Sequence, residues 1–332
     1  MARRRVIIYL GTGVGFGILI YFFAVLDWQA FLRTLRGIRA AALLPVIAFI
    51  LAASVCRSLR WEALLRGGVP PENRPVFLKR LWLCWQALCI GYFGNMVFPA
   101  RAGEMIRMFQ IHKSLDVNLG SAVAMSVLDR LLDVCCVLIL GLCLAFTVLA
   151  GVPSVRTALI PLTLILLVLL ILGVLLFRCG DWTQRVDTIV LSRLPVVIRG
   201  KAKAFLEQVA LAVRGAGSPV LLMRAFLFSA CAFFMDVMAC WQIMRAFGWQ
   251  LPFEAALSME LSLCVAGSLP SAPAYLGLYQ AAAVFVLGHY GGTQADGVVY
   301  ALILQMLTLL LYTVIGGSSF FSLWKTVNKR GE

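Results

Sequence analysis

The sequence predicts an all-α fold, a polytopic transmembrane helical bundle that forms a single membrane domain over residues 1–332. Hydrophobic residues make up 62% of the chain and charged residues only 13%, and the mean hydropathy is +0.94. This composition is too apolar for a water-soluble domain. Several apolar runs reach the roughly 20 residues that a membrane-spanning helix needs. We expect about six full spans plus two broken or re-entrant hairpins of opposite orientation.

The predicted full spans follow the apolar runs along the chain. They cover residues 6–26, 41–56, 117–150, 157–177, 219–247 and 298–324. The run 117–150 is longer than a bilayer is thick, so its helix should protrude or kink. Residues 57–80 are polar and contain two adjacent prolines, which predicts a loop. Residues 178–218 are predicted to be a cytoplasmic loop whose apolar side chains recur on one helical face, typical of a helix on the membrane surface.

Two further apolar runs are interrupted in the middle. Residues 81–116 are broken around Pro99 and Gly103, and residues 254–290 are broken between Ser268 and Gly277. Proline and glycine interrupt a helix, one by removing an amide donor and the other by its backbone freedom. Non-helical backbone inside a bilayer must be covered by protein or line a watery cavity. Both runs are therefore predicted to be broken hairpins.

The distribution of Lys and Arg predicts the orientation of the chain. If the N terminus is inside and each hairpin enters and leaves on one side, 22 of the 29 Lys and Arg residues lie inside and four lie outside. Both termini are then cytoplasmic, in the plasma (inner) membrane, and the two hairpins dip into it from opposite faces. Interrupted segments in both halves of a chain indicate a midplane binding site in transporters. The net charge of +14 is assigned to topology, and no nucleic-acid partner is expected.

The first candidate site is the interruption of the first hairpin. Its residues are Asn95, Pro99, Arg101, Gly103, Glu104 and Arg107. Glu104 and Arg107 are three residues apart and share a helix face. Guanidinium groups bind phosphate bidentately, so Arg101 and Arg107 are predicted to receive a phosphate group while Glu104 holds them in place. A basic turn that only sets the topology is the alternative.

The second candidate site is the charged triplet Asp129, Arg130 and Asp133 inside an apolar run. The two aspartates are four residues apart and lie on one face of the predicted helix. Ionisable side chains at such depth are costly and usually face a cavity or a partner. The triplet therefore either lines a hydrophilic path or forms a structural ion pair through Arg130.

The third candidate site is the interruption of the second hairpin together with an acid in an adjacent span. Its residues are Asp236, Pro270, Pro273, Tyr275, Gly277 and Tyr279. The two tyrosines and the neighbouring Gln280 offer hydrogen-bonding groups without charge. A simple turn between two short helices is the alternative.

No residue pattern indicates an enzyme, a cofactor or a metal. The chain has only two histidines, and its ten cysteines, most of them in or beside apolar runs, include no Cys-x-x-Cys pair. Free cysteine packs as a small apolar side chain. We therefore expect no catalytic residues, no cofactor and no metal.

Three stretches together resemble the lysylphosphatidylglycerol synthase transmembrane (flippase-like) family. They are Gly94 to Arg107, Asp129 to Asp133 with the order Asp-Arg-Leu-Leu-Asp, and Leu269 to Tyr279. The resemblance covers nearly the whole chain. It implies a membrane domain that moves lipid between leaflets, with the acidic and arginine positions of the first two stretches as functional residues. The larger members carry a soluble aminoacyl-transferase domain after this region, which the chain is expected to lack, so lipid aminoacylation is not expected.

The leading hypothesis is a lipid translocase for an anionic or glycosylated lipid, such as a phospholipid or a polyprenyl-phosphate-linked lipid. The alternative is a lipid-binding accessory subunit of a membrane glycosyltransferase or lipid synthase. A third hypothesis is a membrane-embedded transferase. Membrane lipid is the expected partner, and a homo-oligomer or a partner membrane enzyme is left open.

Overall fold

The structure is entirely helical in the part of the chain that it describes. This computed structural model describes residues 27–38, 40–65, 76–98, 102–115, 117–147, 219–269 and 273–328, with the single positions 24, 164 and 203. No strand occurs within these ranges, which confirms the predicted all-α class there. The predicted spans 6–26 and 157–177 and the surface helix within 178–218 lie outside them. So do Pro99, Arg101 and Pro270.

Nine α-helices can be described. They are α1 (Trp28–Arg36), α2 (Leu44–Leu65), α3 (Phe77–Val97), α4 (Ala102–Leu115), α5 (Leu119–Thr147), α6 (Pro219–Ala246), α7 (Phe253–Ser268), α8 (Leu278–His289) and α9 (Gln294–Asn328). Two short 3₁₀ turns, Ala40–Leu43 and Pro273–Tyr275, precede α2 and α8. Both predicted interruptions are present, because α3 ends at Val97 before α4 begins, and α7 ends at Ser268 before α8 begins.

Three helical segments of the described chain are long and apolar enough to cross a bilayer. They are Ala41–Leu65, Val220–Ala246 and Gln294–Gly317. Helix α5 has 29 residues, about 43 Å at 1.5 Å per residue, but three charged side chains lie in its middle. The protein is therefore a multi-pass membrane protein, and α5 carries three charged side chains near its midpoint.

The prediction of a loop over residues 57–80 is wrong at both of its ends. Helix α2 continues to Leu65 and α3 begins at Phe77. The side chains of Trp61, Leu64 and Leu65 are fully buried, so the apolar face of the span continues past the first arginine. Charged residues alone did not end the helix, because they are paired inside the protein.

The described residues fall into two compact units. The first is drawn from Met1–Ser54, Leu88–Arg107 and Ala232–Glu332, and the second from Val55–Ala87 and Met108–Cys231. The core of the second unit combines side chains from α2, α3, α4, α5 and α6, among them Trp61, Cys84, Ile111, Met125 and Ala225. Leu128 and Leu132, which are adjacent to the charged residues of α5, pack against this core.

Close backbone contacts hold the first unit together. A Cβ on Gly297 of α9 would lie 2.5 Å from the Val284 Cα of α8, and one on Gly316 would lie 2.5 Å from the Cys89 carbonyl oxygen of α3. Helix α9 also meets α2, where the hydroxyl groups of Ser54 and Tyr312 lie 2.8 Å apart. Small residues therefore allow α9 to approach two other helices closely.

Glycines also bring α3 and α4 into backbone contact. A Cβ on Gly94 would lie 2.7 Å from the Gly103 Cα, and one on Gly103 would overlap the Gly91 carbonyl oxygen. The prediction that Gly103 interrupts the helix is wrong, because this residue lies in the first turn of α4. Its lack of a side chain serves helix packing. We call Gly91, Gly94 and Gly103 the glycine seam.

Gly103→Ala is expected to destabilise the protein by about 1–3 kcal/mol, since the added methyl group would overlap backbone atoms that cannot rotate away. The matched control is Gly141→Ala in α5, where an added Cβ would meet nothing within 4 Å and where alanine favours the helix. Thermal unfolding in detergent should show a lower midpoint for the first variant only. Equal unfolding midpoints for the two variants would contradict the close packing of α3 and α4 at the glycine seam.

Candidate functional site

The charged triplet of α5 is completed by an arginine from α2. The Arg60 guanidinium lies 2.5 Å from Asp129 Oδ1 and 2.6 Å from Asp133 Oδ1. It also donates a hydrogen bond of 3.0 Å to the Ser229 hydroxyl of α6. Because the two aspartates are one helical turn apart on α5, a single guanidinium can reach both. Three membrane helices thus meet at Arg60.

This cluster lies inside the protein. Arg60 is 1% exposed and Asp129 is 0% exposed. Arg130, which is more exposed, pairs with the second oxygen of Asp133 at 3.2 Å. Two guanidinium groups therefore balance two carboxylates, which offsets the large cost of removing isolated charges from water. We call Arg60, Asp129, Arg130 and Asp133 the arginine–aspartate cluster.

The sequence analysis placed Arg60 in a loop and missed its role. The expected pairing of Arg130 with one of the aspartates is present, because Arg130 bonds to Asp133, and Arg60 contacts both aspartates. The signal that could have identified Arg60 is its position one residue before Trp61, within an apolar face that continues to Leu65 at helical spacing. Both readings of the triplet, a structural ion pair and a hydrophilic path, are compatible with this geometry.

A second buried ion pair joins α2 to α3. Glu62 Oε1 accepts hydrogen bonds from Arg80 Nε at 3.0 Å and from Arg80 Nη2 at 2.7 Å. Both residues are less than a tenth exposed. Arg80, like Arg60, was counted among the inside loop charges in the prediction of topology. Removing Arg60 and Arg80 lowers the inside total of Lys and Arg to 20, which leaves the inward bias intact.

At the first interruption the structure describes Asn95, Gly103, Glu104 and Arg107. Arg107 is only 4% exposed, and its Cβ and Cδ pack where a Gly91 side chain would otherwise lie. Glu104 is half-buried in the first turn of α4. The buried Oδ1 of Asn95 lies beside Gly103 and accepts no hydrogen bond from a described residue. The Arg107 side chain thus packs against the glycine seam, and its binding of a phosphate stays a prediction.

The second interruption is held by two glutamines. Ala274 and Tyr275 have positive φ angles of 55° and 59°, a strained conformation for residues with a side chain. The Gln305 amide of α9 donates to the Ala274 carbonyl at 2.9 Å and accepts from Gln280 at 2.6 Å. Gln280 in turn accepts from the Gly277 amide at 2.8 Å. These bonds satisfy backbone groups that the helix break leaves open.

Aromatic rings lie beside these bonds. Tyr275 and Tyr279 stack with ring centroids 5.0 Å apart, and the Tyr279 hydroxyl lies 3.4 Å from where a Gly267 Cβ would be. Pro273 is the first residue of the 3₁₀ turn, and Gly277 is buried with a φ angle of 85°. The interruption is therefore an ordered, internally bonded turn. Sequence analysis missed Gln305, which lies in the middle of an apolar run.

A buried acid lies on α7. Glu260 is 8% exposed, and its carboxylate accepts from the Cys264 thiol at 3.2 Å and from the Cys240 thiol at 3.6 Å. Asp236, predicted to belong to the third candidate site, lies half-buried on α6 one turn before Cys240. Among the described residues, no group of three His, Cys, Asp or Glu side chains could hold a metal ion.

Apolar helices whose charged and polar side chains are paired inside the protein define a polytopic helical membrane protein. The family model of the lysylphosphatidylglycerol synthase TM region matches residues 8–316. The chain therefore belongs to this family, which confirms the resemblance carried by its motifs and relates the protein to lipid handling. Comparisons with curated proteins and with solved structures gave no match.

Arg60→Gln is expected to destabilise the fold by about 3–5 kcal/mol, because it leaves two buried carboxylates without their shared cation. Adding Asp129→Asn should cost less than the sum of the single changes, since the two side chains contact each other. Thermal unfolding in detergent measures these effects, with Arg224→Gln as the control on an exposed arginine of α6. If the double variant lost as much stability as the two single variants together, the pairing of Arg60 with Asp129 would be contradicted.

Gln305→Leu is expected to loosen the second interruption, because each buried polar group left without a partner costs about 1–3 kcal/mol. Hydrogen exchange of the amides of residues 274–280 should accelerate. The control is Thr308→Val one turn further along α9, where the hydroxyl bonds only to carbonyls of its own helix. Unchanged protection in the glutamine variant would show that other contacts hold the turn.

Proposed function

We propose that this protein is a lipid translocase that moves an anionic or glycosylated lipid between the leaflets of the membrane. Membership of a family defined by the membrane region of a lipid synthase supports a lipid as the substrate. In this proposal the protein carries out no chemical conversion. The lipid tails stay in the bilayer while the head group passes polar side chains inside the protein.

The observation that carries the proposal is the arginine–aspartate cluster at Arg60. Ionisable side chains inside membrane helices mark substrate or ion pathways by default. An apolar core of the same volume would often be equally or more stable than a buried ion pair. Stability alone therefore explains the presence of the arginine–aspartate cluster poorly. A role in the passage of a charged head group explains it better.

The cluster also suggests where a head group would bind. Arg130 is its more exposed cation, and it shares Asp133 with Arg60. A phosphate accepts hydrogen bonds from a guanidinium as a carboxylate does, so it can replace Asp133 on Arg130. Asp129 would keep Arg60 paired during that exchange, which avoids leaving a bare charge in the protein.

The ordered helix interruptions support the same proposal. Broken helices in membranes occur where irregular backbone is covered by protein or faces a cavity, and transporters place binding sites beside them. Here Gln280 and Gln305 satisfy the second interruption, and the buried amide oxygen of Asn95 at the first is a further acceptor for a head-group hydroxyl or amine. That the two hairpins dip in from opposite faces remains a prediction from the charge count.

Reconstitution into liposomes with fluorescent lipids in one leaflet tests the proposal. Asp133→Asn keeps the size of the side chain but removes its charge, so leaflet exchange should fall about tenfold, equivalent to about 1.4 kcal/mol in the barrier. The control, Arg245→Gln, removes an exposed arginine stacked over Trp241 on α6 and should exchange lipid at the native rate.

The lipid panel should include phosphatidylglycerol, phosphatidylethanolamine and a polyprenyl-phosphate-linked sugar. If the native protein accelerated the leaflet exchange of none of these lipids, the translocase proposal would be wrong. Co-purified lipid without exchange would favour the accessory subunit instead. A changed mass of the recovered lipid would favour a transferase.

A further inference from the structure

Helix α1 is short and amphipathic, and it contributes no residue to the arginine–aspartate cluster. Its Trp28, Leu32 and Leu35 side chains project from one face and are 52%, 46% and 39% exposed. Arg33 and Arg36 are also exposed and lie on the adjoining face at helical spacing. Such a combination of apolar and basic faces is typical of a helix that lies in a membrane interface.

The third face of α1 packs on the beginning of α9. Phe31 contacts the buried pair Ala295 and Val298, and the Thr34 hydroxyl donates a 2.9 Å hydrogen bond to Asp296 Oδ1. The second oxygen of Asp296 caps the start of α9 through Thr293. Helix α1 is therefore fixed to the protein, and its apolar face is not its packing face.

These contacts set the depth of α1. It is attached where the span Gln294–Gly317 begins, and the span Ala41–Leu65 begins shortly after α1 ends. Trp249, shortly after α6, and Tyr290, directly after α8, line a cavity together with Asp296 in the first turn of α9. Tryptophan and tyrosine are enriched at membrane–water interfaces. These features predict that helix α1 lies at the level where the hydrocarbon meets the head groups.

We infer that α1 lies in the bilayer interface, with Trp28, Leu32 and Leu35 among the acyl chains, and that Arg33 and Arg36 bind anionic phospholipid head groups. The Arg33 Nε donates to the Gln29 carbonyl at 3.3 Å, so the two terminal nitrogens of this guanidinium are the donors that would bind a phosphate. A second copy of the chain fits this face less well, because three side chains are far from the roughly 800 Å² per partner of a stable interface. The inference does not depend on the translocation proposal.

Fluorescence quenching in nanodiscs tests the inference. Phosphatidylcholine discs are prepared with a minor fraction of lipid brominated at one acyl position, either phosphatidylglycerol or phosphatidylcholine. The difference between the native protein and Trp28→Phe isolates the signal of Trp28. Brominated phosphatidylglycerol should quench that signal at least about twofold more strongly, because two arginines enrich anionic lipid beside the helix, and high salt should reduce the preference.

The variant Arg33→Gln/Arg36→Gln should lose the preference while Trp28 remains quenched by both lipids. Arg245→Gln, the control for loss of an exposed arginine, should retain it. Equal quenching by the two lipids in the native protein would overturn head-group binding. No quenching of Trp28 by either lipid would show that a second copy or water covers the face, and would overturn the interfacial placement.

Discussion

Every buried polar group of a membrane protein must find its partner inside the protein, because hydrocarbon offers none. The structure meets this constraint by long-range pairing. Arg60 is satisfied by side chains of α5 and α6, Arg80 by Glu62, and the carbonyl of Ala274 by Gln305. The Arg60 contacts join α2 to α5 and α6, the Arg80 contact joins α2 to α3, and the Gln305 contact joins α9 to the turn before α8, so these polar groups help to fix which elements are neighbours.

The sequence predicted what depends on neighbouring residues. Apolar runs located α6 and α9, prolines and glycines located both interruptions, and the spacing of Asp129 and Asp133 placed them on one face. The partners Arg60 and Gln305 were missed, because hydropathy averages over a window and assigns each polar residue to a loop or to an exception. Their roles depend on partners that are distant along the chain: Asp129 and Asp133 for Arg60, and the Ala274 carbonyl for Gln305.

For one glycine and two arginines, the role predicted from the residue type differs from the role in the structure. Gly103 was read as a helix breaker, yet it lies within α4 and permits backbone contact with α3. Arg60 and Arg80 were counted as charges that set topology, yet both lie in buried ion pairs. A residue type fixes what a side chain can do, and its neighbours in space decide which of these properties is used.

The glycine seam also limits where a lipid can go. Between α3 and α4 the carbonyl oxygen of Gly91 and the backbone of Gly94 touch the backbone of Gly103, with no side chain between them. An acyl chain is wider than such a contact, so this boundary is closed to the tails of the surrounding bilayer. In the proposed translocase, lateral access for a lipid would therefore run along another helix boundary, where side chains rather than backbone atoms form the wall and a change of rotamer can open a gap.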